Sequence, residues 1–432
     1  MFRDKTKRAQ KRLESLPCLA LQAEQVEFIY SPMAFKNEII QLIRQAKTRI
    51  FVTALYWQND EAGQEILDEI YRAKQDKPEL EVKILIDWHR AQRNLLGAEK
   101  SATNADWYCE QRQKYQLADD PNLFFGVPIN TREVFGVLHI KGFVFDDTVL
   151  YSGASINNVY LQQNEKYRYD RYQKITHPQL ADSMVAFIRD FLLNSDVVLP
   201  LDSVNRPKTK EIRQNIRHFR KNLALNGQYK LSSAVDFGNE LTVTPLFGLG
   251  GAGNVLNCTI EDLFQLVDEK LTICTPYFNF PRTLQQKIRH LLRKGKKIEI
   301  IVGDKVANDF YIPPEQPFKM AGALPYLYEN NLRRFSKKFQ REMEQGQLII
   351  RTWKDGTNTY HLKGVWVDDN YILLTGNNLN PRAWRLDAEN GLFIHDPKQQ
   401  LLPQVVQELD CIRQHTTVLQ HYTELEEMKQ YP

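Results

Sequence analysis

Two related stretches decide the fold: VLHIKGFVFDDTVLYSGASINN at residues 137–158 and TYHLKGVWVDDNYILLTGNNLN at residues 359–380. Both read His-x-Lys-x-x-x-x-Asp, then an apolar run, then Gly-x-Ser/Asn-x-Asn, and the second copy has one extra residue between its Asp and its Gly. One copy of so short a pattern arises easily by chance, whereas two long copies in corresponding halves of a chain do not. The alternative is a duplicated structural domain whose histidines and lysines are incidental surface residues.

Short apolar runs alternate with amphipathic helical patterns in both halves. In the first half, the strand-like runs 26–30 and 49–57 flank a helical pattern at 35–47, and the second half repeats this order ahead of its own motif. Such alternation is typical of α/β units. The interval between Tyr56 and Tyr277 nearly equals that between the two motif histidines. The sequence therefore predicts an α/β fold of two homologous domains, each with a mixed, mainly parallel sheet flanked by helices.

Charge divides the chain into four predicted segments. Residues 1–25 form a basic N-terminal arm, because the first twelve residues hold six Lys or Arg and one Asp. Residues 26–200 form the first domain, 201–231 a basic linker helix and 232–432 the second domain. The arm has two interpretations, a segment that rests on anionic lipid or a solvated tail.

The bulk composition is that of an ordinary globular protein: 432 residues, 42% hydrophobic and 25% charged. The net charge of +4 does not call for a nucleic-acid partner. Five cysteines without a Cys-x-x-Cys pair argue against a disulfide framework and a structural zinc site. Neither an apolar signal-peptide region nor an apolar run of about 18 residues is present. We expect a cytosolic protein, or one peripheral on the cytosolic face of a membrane.

Two basic segments have an apolar stripe at helical spacing, one in the linker and one late in the second half. The stripes consist of Ile212, Ile216, Phe219 and Leu223, and of Leu332, Phe335, Phe339 and Met343. Such helices either lie in a lipid interface or pack on their own domain. The basic residues that are candidates for membrane binding are Arg213, Arg217, Arg220, Lys221, Arg333, Arg334, Lys337 and Lys338.

The paired His and Lys residues suit chemistry on a phosphodiester. Residues two apart in a strand point the same way, so His139 shares a face with Lys141, and His361 with Lys363. The lysines would hold the non-bridging oxygens and stabilise charge in the transition state, in place of a divalent cation. No metal and no cofactor is therefore implied. One imidazole would attack phosphorus, while the other would protonate the leaving group and then deprotonate the acceptor.

Two asparagines and two aspartates complete the motifs. Asn157 and Asn380 are expected to hold a phosphate oxygen from the neighbouring strand. Asp146 and Asp368 belong to the catalytic motif by position. Their place in the turn between two predicted strands favours a structural role, holding the strands in register, over direct catalysis.

The paired motif resembles that of the phospholipase D superfamily. The stretches DWHRAQR, TNADWYC, GVPINTRE, TPYFNFP, GDKVANDFYIP and NNLNPRAWRLDAEN are similar to the phospholipase-D-like class of bacterial phosphatidylserine synthases, over nearly the whole chain. The resemblance implies two phospholipase D-like domains with the active site at their interface. In DWHRAQR, Asp87, Arg90 and Arg93 either help to bind nucleotide or serine or form a structural salt-bridge cluster.

The same resemblance implies a reaction and its residues. The reaction is phosphatidyl transfer from CDP-diacylglycerol to L-serine, giving phosphatidylserine and CMP through a covalent phosphatidyl-histidine. His139 would be the nucleophile and His361 the acid and base, although the near-symmetric copies leave the reverse assignment open. Glu389 is placed to orient a histidine ring. Asp170 would be its counterpart, and it departs from the glutamate expected there.

The implied partners are CDP-diacylglycerol, L-serine and an anionic phospholipid surface, with no nucleic acid. The implied location is cytoplasmic, peripheral on the cytosolic face of the inner membrane. A phospholipase D-type hydrolase or a cardiolipin synthase would use the same two-histidine site. A superfamily nuclease would predict salt-sensitive DNA binding. A non-catalytic lipid-binding module would be expected to lack a His or Lys in one copy, and both copies are complete.

Overall fold

The chain folds around two β-sheets, one built mainly from each half. A computed structural model describes residues 2–94, 101–317 and 319–431. Its helices are α1 Phe2–Glu14, α2 Pro32–Gln45, α3 Glu61–Asp76, α4 Trp88–Ala91, α5 Asn104–Tyr115, α6 Pro178–Phe187, α7 Arg213–Asn226, α8 Val255–Leu266, α9 Arg282–Arg293, α10 Leu324–Lys338, α11 Gln340–Glu344, α12 Pro381–Arg385 and α13 Leu402–Arg413. Within these ranges, no helix has both the length and the apolar character needed to cross a bilayer.

The strands alternate with these helices along both halves. Those of residues 2–200 are β1 Leu19–Ala20, β2 Val26–Ile29, β3 Arg49–Ala54, β4 Glu81–Asp87, β5 Phe124–Val127, β6 Gly142–Phe145, β7 Thr148–Ser152, β8 Arg168–Tyr169, β9 Tyr172–Thr176 and β10 Leu199–Pro200. Those that follow are β11 Thr242–Gly248, β12 Lys270–Thr275, β13 Lys297–Gly303, β14 Leu348–Trp353, β15 Thr359–Tyr360, β16 Gly364–Val367, β17 Tyr371–Thr375, β18 Glu389–His395 and β19 Thr416–Val418.

Both sheets are mixed, as predicted, but the prediction that they are mainly parallel is wrong. The first sheet has the order β10-β5-β4-β3-β6-β7-β9-β2 and the second β1-β11-β18-β17-β16-β12-β13-β14-β19. Within these two sheets, only β3-β4-β5 and β12-β13-β14 pair in parallel. These strands are joined by helical crossovers, whereas each motif forms a tight hairpin, β6-β7 or β16-β17, whose strands must run antiparallel.

Three buried apolar clusters hold the layers together. One joins the first sheet to α2, α3 and α5, and another joins the second sheet to α1, α8, α9 and α10. The third takes side chains from both sheets, for example Val144 and Tyr151 from the first and Trp366 and Leu374 from the second. The two halves therefore share a core, and the motif hairpins of both halves contribute to it.

Short backbone pairings also join the halves next to the motifs. Strand β15, just before the second motif histidine, pairs in parallel with β8 of the first half. An isolated parallel bridge joins Leu138, just before the first motif histidine, to Ala388. Each motif thus begins against the other half of the molecule.

The predicted basic N-terminal arm is instead a helix and a strand of the second half. Within α1, Ala9 and Leu13 are fully buried, and Leu13 belongs to the apolar cluster of the second sheet. The Arg12 Nε donates to Asp262 Oδ2 at 2.8 Å, and β1 extends the second sheet by pairing with β11. The prediction was wrong because the many charged residues of this segment surround two apolar residues, Ala9 and Leu13. These two are one helical turn apart and are enough to pack the helix against the protein.

The two basic helices form as predicted, but their apolar stripes do not face outward. Ile216, Phe219 and Leu223 of α7 are buried in the shared core, with Ile212 packed against it. The second stripe, from Leu332 in α10 to Met343 in α11, is buried in the cluster of the second sheet. The interpretation that these stripes lie in lipid is therefore wrong, because protein side chains already cover them.

Candidate active site

The two motif histidines are held by backbone bonds that cross between the halves. The His139 amide donates to the carbonyl of Ala388 at 2.9 Å, and the His361 amide donates to the carbonyl of Tyr169 at 2.8 Å. Both histidines and both motif lysines are buried. These paired bonds give the site an approximate two-fold arrangement, in which each half anchors the histidine of the other.

The carboxylates predicted to orient the histidines are in place, and they are exchanged between the halves. His139 Nδ1 lies 2.9 Å from both carboxylate oxygens of Glu389, and His361 Nδ1 lies 3.2 Å from Asp170 Oδ2. The exchange follows from the backbone bonds, because Ala388 immediately precedes Glu389 and Tyr169 immediately precedes Asp170. Glu389 therefore serves the histidine of the first motif rather than that of its own half.

Burial and like charges set the protonation of the histidines. Burial lowers the pKa of His139 well below its usual value, and the charges of Lys141 and Lys363 lower it further. Burial and Lys363 likewise lower the pKa of His361 to about 4, although Asp170 opposes the shift. Both imidazoles are therefore neutral at pH 7. A neutral imidazole has the free lone pair that a nucleophile or a base needs.

The lysines and carboxylates are shifted by the same two effects. Burial and Lys363 lower the pKa of Lys141 to about 7. Burial also lowers the pKa of Lys363, whose Nζ donates to Asp170 Oδ2 at 3.1 Å. Burial alone would raise the pKa of Asp170, but Lys363 and His361 bring it below its usual value. Burial and the neighbouring Asp387 raise the pKa of Glu389.

The motif aspartates lie in the turns of the motif hairpins. Asp146 and Asp368 adopt left-handed backbone conformations, with φ of 50° and 51°, at the tips of the motif hairpins. Asp146 accepts the backbone N–H groups of Lys47 and Thr48 at 2.8 Å each, and Asp368 does the same for the segment before β12. These bonds agree with the predicted structural role, and a part in catalysis stays an untested prediction.

The motif glycines let each lysine reach across to the other half. A side chain at Gly153 would lie 2.7 Å from Asp170 Oδ2 and 2.9 Å from Lys363 Nζ, and one at Gly376 would lie 2.8 Å from Lys141 Cγ. Such spacing leaves no room for a β-carbon. The lysine of each motif therefore lies over the glycine of the other.

The motif asparagines make local hydrogen bonds. Asn157 accepts the Tyr160 amide at 3.0 Å and donates to the Tyr56 hydroxyl at 3.2 Å. Asn380 caps α12 by accepting the Ala383 amide at 2.9 Å. These bonds fix the backbone that follows each motif glycine, and contact with a phosphate oxygen stays a prediction.

Four residues beside His361 were not identified from the sequence. The Tyr160 hydroxyl lies 2.8 Å from His361 Nδ1, and the ring of Tyr277 packs edge-on against the imidazole. Asp309 accepts the Tyr277 hydroxyl at 2.6 Å, and the Arg168 guanidinium stacks over Tyr160 at 5.0 Å. Tyr160 lies three residues beyond Asn157, where the second motif has Ala383. That difference between the copies was a signal for Tyr160, whereas Tyr277 and Asp309 stand in the quoted stretches TPYFNFP and GDKVANDFYIP.

Comparison with known proteins relates the chain to enzymes of lipid synthesis. Residues 261–415 match the family model described as cardiolipin synthase, PLD-like domain. The CDP-diacylglycerol–serine O-phosphatidyltransferase of Haemophilus influenzae is 76% identical over 432 residues, which cover 100% of this chain and 95% of that protein. The chain belongs to the CDP-diacylglycerol–serine O-phosphatidyltransferase family. The Escherichia coli member is 52% identical over 428 residues, covering 99% of this chain and 94% of that protein.

Solved structures agree with membership of this phosphatidyltransferase family. The crystal structure of phosphatidylserine synthase from Haemophilus influenzae superposes with a TM-score of 0.97 at 75% identity, covering 99% of this chain and 95% of that one. The polyphosphate kinase of Porphyromonas gingivalis superposes with a TM-score of 0.53 at 11% identity, over 96% of this chain and 53% of that one. The second likeness concerns the fold alone. The fold predicted from the resemblance, with its two-motif organisation, is confirmed.

The three predicted residues of DWHRAQR make structural contacts, and Arg90 lies 3.7 Å from Glu133. Asp87 accepts the backbone amides of His89, Arg90 and Leu138, so it supports the start of the first motif. Arg93 pairs with Glu133, as the salt-bridge interpretation of DWHRAQR requires.

The candidates for membrane binding divide into two groups. Arg220 donates to the Leu386 carbonyl at 2.9 Å and Arg333 to the Leu425 carbonyl at 3.1 Å, so both have structural roles. The other six are exposed: Arg213, Arg217, Lys221, Arg334, Lys337 and Lys338.

Proposed function

We propose that this protein transfers the phosphatidyl group of CDP-diacylglycerol to L-serine, giving phosphatidylserine and CMP. The observation that carries the proposal is the pair of buried, neutral histidines, each oriented by a carboxylate from the other half and accompanied by a buried lysine. A site with two imidazoles and two cationic side chains can attack a phosphodiester, bind its charge and move the necessary protons. Membership of the family supplies the donor and the acceptor.

The surroundings of the two Nδ1 atoms favour His139 as the nucleophile. His139 Nδ1 faces the two carboxylate oxygens of Glu389, which can accept its proton, so the lone pair is on Nε2. His361 Nδ1 faces the Tyr160 hydroxyl and the Lys363 ammonium as well as Asp170. The Asp170 carboxylate can accept a proton from Nδ1, so His361 can carry a proton on each ring nitrogen when the anionic donor binds and give the Nε2 proton to the leaving group. The assignment implied by the resemblance thus gains a physical reason.

In the first step, His139 Nε2 attacks the phosphorus of the phosphatidyl group. A P–N bond forms and the P–O bond to CMP breaks. The anionic donor beside His361 favours its imidazolium form, which gives its Nε2 proton to the departing oxygen and becomes neutral. Lys141 and Lys363 hold the non-bridging oxygens, where charge increases in the transition state. Asn157 and Asn380 position the backbone on which these groups converge.

In the second step, the serine hydroxyl attacks the phosphatidyl-histidine. The hydroxyl proton passes to His361, a P–O bond to serine forms, and the P–N bond to His139 breaks. Both histidines return to their starting state. Water as the acceptor would give phosphatidic acid by the same route, which is the hydrolase alternative.

The proposed site of action is an anionic membrane surface on the cytosolic face of the inner membrane. CDP-diacylglycerol carries two acyl chains, so a chain without a spanning helix among its described residues must meet the lipid from outside. The exposed basic residues on α7 and α10 support this, because each Lys or Arg near an anionic surface contributes about 1 kcal/mol. The exposed apolar side chains of Met320 and Leu327 favour α10 as the helix that meets the lipid.

The test is an incubation of purified protein with CDP-diacylglycerol in detergent micelles, with and without L-serine, in the presence of EDTA. We expect serine-dependent CMP release, with phosphatidylserine as product and no loss of rate with EDTA. No group of three His, Cys, Asp or Glu in the described chain is arranged to hold a metal ion. CMP release with phosphatidic acid and no use of serine would make the protein a hydrolase.

The two-histidine mechanism has its own control. His139→Ala and His361→Ala should each reduce turnover to background while the fold is retained. The matched variant His218→Ala changes an exposed histidine of α7 and should keep full activity. Full activity in either motif variant would end the two-histidine model. An acid-labile mass increase of the His139 peptide after rapid quenching would identify the intermediate.

A further inference from the structure

A pair of opposite charges lies beside His361 without a role in the phosphate chemistry. Asp309 Oδ2 lies 3.7 Å from Arg168 Nη1, which is longer than a hydrogen bond. The Asp309 side chain is 19% exposed and that of Arg168 16%, so both are accessible at the mouth of the site. The Tyr277 hydroxyl anchors Asp309 at 2.6 Å. Arg168 is anchored by Thr359 Oγ1, which accepts from its Nε at 3.1 Å, and by the ring of Tyr160.

The carboxylate is the part of this pair that phosphate binding does not explain. The donor substrate is an anion, and a carboxylate beside its site opposes its binding. Asp170 and Glu389 have a role because each orients a histidine. Asp309 orients neither histidine, since its hydrogen bond goes to Tyr277. Its placement makes sense if the second substrate brings a positive charge. Water, glycerol and lipid alcohols bring none.

We propose that Asp309 and Arg168 form the subsite for the acceptor, binding the α-ammonium and the α-carboxylate of L-serine respectively. This inference rests on the proposed function and extends it by naming the residues that select the acceptor. The Nη atoms of Arg168 point a planar fork of donors at a carboxylate, the geometry for which arginine is best suited. Asp309 Oδ2, the oxygen not bound to Tyr277, is the acceptor for the ammonium.

The position of the pair matches the proton transfer. His361 is the base that takes the serine hydroxyl proton, so the hydroxyl must lie against its imidazole. Tyr277 connects the two places, since its ring contacts the His361 ring at a centroid distance of 5.8 Å and its hydroxyl binds Asp309. Tyr160 does the same for Arg168, because its hydroxyl binds His361 and its ring lies under the guanidinium. A serine bridging Asp309 and Arg168 is thereby held within reach of the base.

The first experiment separates the two half-reactions in Asp309→Asn. Exchange of labelled CMP into CDP-diacylglycerol reports the first step, which does not involve serine. We expect that exchange to stay within about twofold of the wild-type rate, while KM for serine rises about 10- to 100-fold, the effect of one lost charge-assisted interaction. The matched control is Asp304→Asn, a cap residue of the loop that leads to Asp309, which should change neither quantity.

The second experiment reads the charges of the acceptor directly, with 2-aminoethanol, which lacks the carboxylate, and 3-hydroxypropanoate, which lacks the amine. Asp309→Asn should narrow the wild-type preference for serine over 3-hydroxypropanoate. Arg168→Gln should narrow the preference for serine over 2-aminoethanol. Asp309→Asn should keep the preference for serine over 2-aminoethanol, and Arg168→Gln should keep the preference for serine over 3-hydroxypropanoate.

Three outcomes decide the inference. Unchanged KM for serine in Asp309→Asn would overturn it, and so would an equal loss of CMP exchange and serine transfer, since the pair would then act on the histidines. Wild-type protein that exchanges CMP but ignores serine would instead refute the proposed function. Circular dichroism and thermal melting of each variant show whether the fold is retained. A variant that fails to fold is replaced by Asp309→Glu, which keeps the charge and should keep the preference for an amine.

Discussion

At the scale of single residues, Lys141 is the group whose charge is most sensitive to pH near neutrality. Its pKa is lowered to about 7 by burial and by the charge of Lys363. It therefore loses its proton, and its hold on an anionic substrate, as pH rises through about 7. We predict that kcat/KM for CDP-diacylglycerol falls as pH is raised from about 6 to about 9, because this ratio reports groups of the free enzyme. The fall in kcat should lie at higher pH, since the bound phosphate favours the charged lysine.

The variant Lys141→Arg tests that prediction, because arginine stays protonated throughout this range. It should have a lower maximum, since its longer fork fits the site less well, and the alkaline fall should disappear or move to higher pH. The control Lys221→Arg, on the exposed face of α7, should keep the wild-type profile. An alkaline limb that stays in place in Lys141→Arg would assign the titration to another group.

The motif predicted single residues well where their chemistry is local. His139, Lys141, His361 and Lys363 follow from spacing alone, and the turn role of Asp146 follows from its place between two strands. The exchange of carboxylates between halves does not, because it depends on the backbone bond between His139 and Ala388, which belong to different halves of the chain. Tyr160 and Asp309 had no motif of their own, and only packing against His361 reveals them.

At the scale of elements, α7 shows that an apolar stripe on a basic helix can belong to the protein core. Phe219 is buried in the cluster shared by both sheets, while Leu225 on the same helix is 73% exposed. We predict that Phe219→Ala lowers the free energy of unfolding by about 3 kcal/mol or more, from lost burial and the cavity left behind. Leu225→Ala should change it by less than about 0.5 kcal/mol. Urea unfolding followed by circular dichroism measures both.

If the Phe219→Ala variant is as stable as the wild type but binds vesicles more weakly, the apolar stripe of α7 contacts lipid and not the protein core. Helical spacing cannot make this distinction from sequence, because a stripe that faces lipid and one that faces protein have the same period. The same limit explains α1, whose charges predicted an arm while Ala9 and Leu13 seat it on α8. Strand direction could not be predicted for a similar reason. The pattern of apolar residues shows which strands are buried, and not whether neighbouring strands run parallel or antiparallel.

At the scale of the whole molecule, the duplication predicted two halves, and the structure shows that neither half contains a complete site. His139 is oriented by Glu389 of the second half, and His361 by Asp170 of the first. The sequence predicted an active site at the interface through the resemblance alone. The physical reason is the crossed backbone bonds, which make the relative placement of the halves a condition for catalysis. Any change that loosens the shared core should therefore affect both histidines together.

The placement of the site in the molecule also indicates which surface meets the membrane. Tyr328 on α10 stacks on Tyr277, whose ring contacts His361, so α10 lies near the chemistry. Two exposed apolar side chains accompany it, Met320 at 92% and Leu327 at 49%. The exposed Lys337 and Lys338 lie at the other end of the same helix. Apolar and cationic side chains on one helix are the combination that holds a protein at an anionic interface. In the proposed function the acyl chains of the donor substrate remain in the bilayer, so we expect the surface next to the site to be the one that docks.

We therefore predict that the paired change Lys337→Glu and Lys338→Glu on α10 lowers binding to vesicles containing anionic phospholipid by at least about tenfold, because two favourable charges become unfavourable. The matched pair Arg213→Glu and Arg217→Glu on α7 makes the same change in charge and should lower binding much less. Vesicle co-sedimentation at two salt concentrations measures both, and wild-type binding should weaken as salt screens the contact. CMP exchange in detergent micelles should stay near wild type in both, because micelles present the substrate without an anionic surface. Equal losses from the two pairs would mean that net charge, and not the α10 surface, governs attachment.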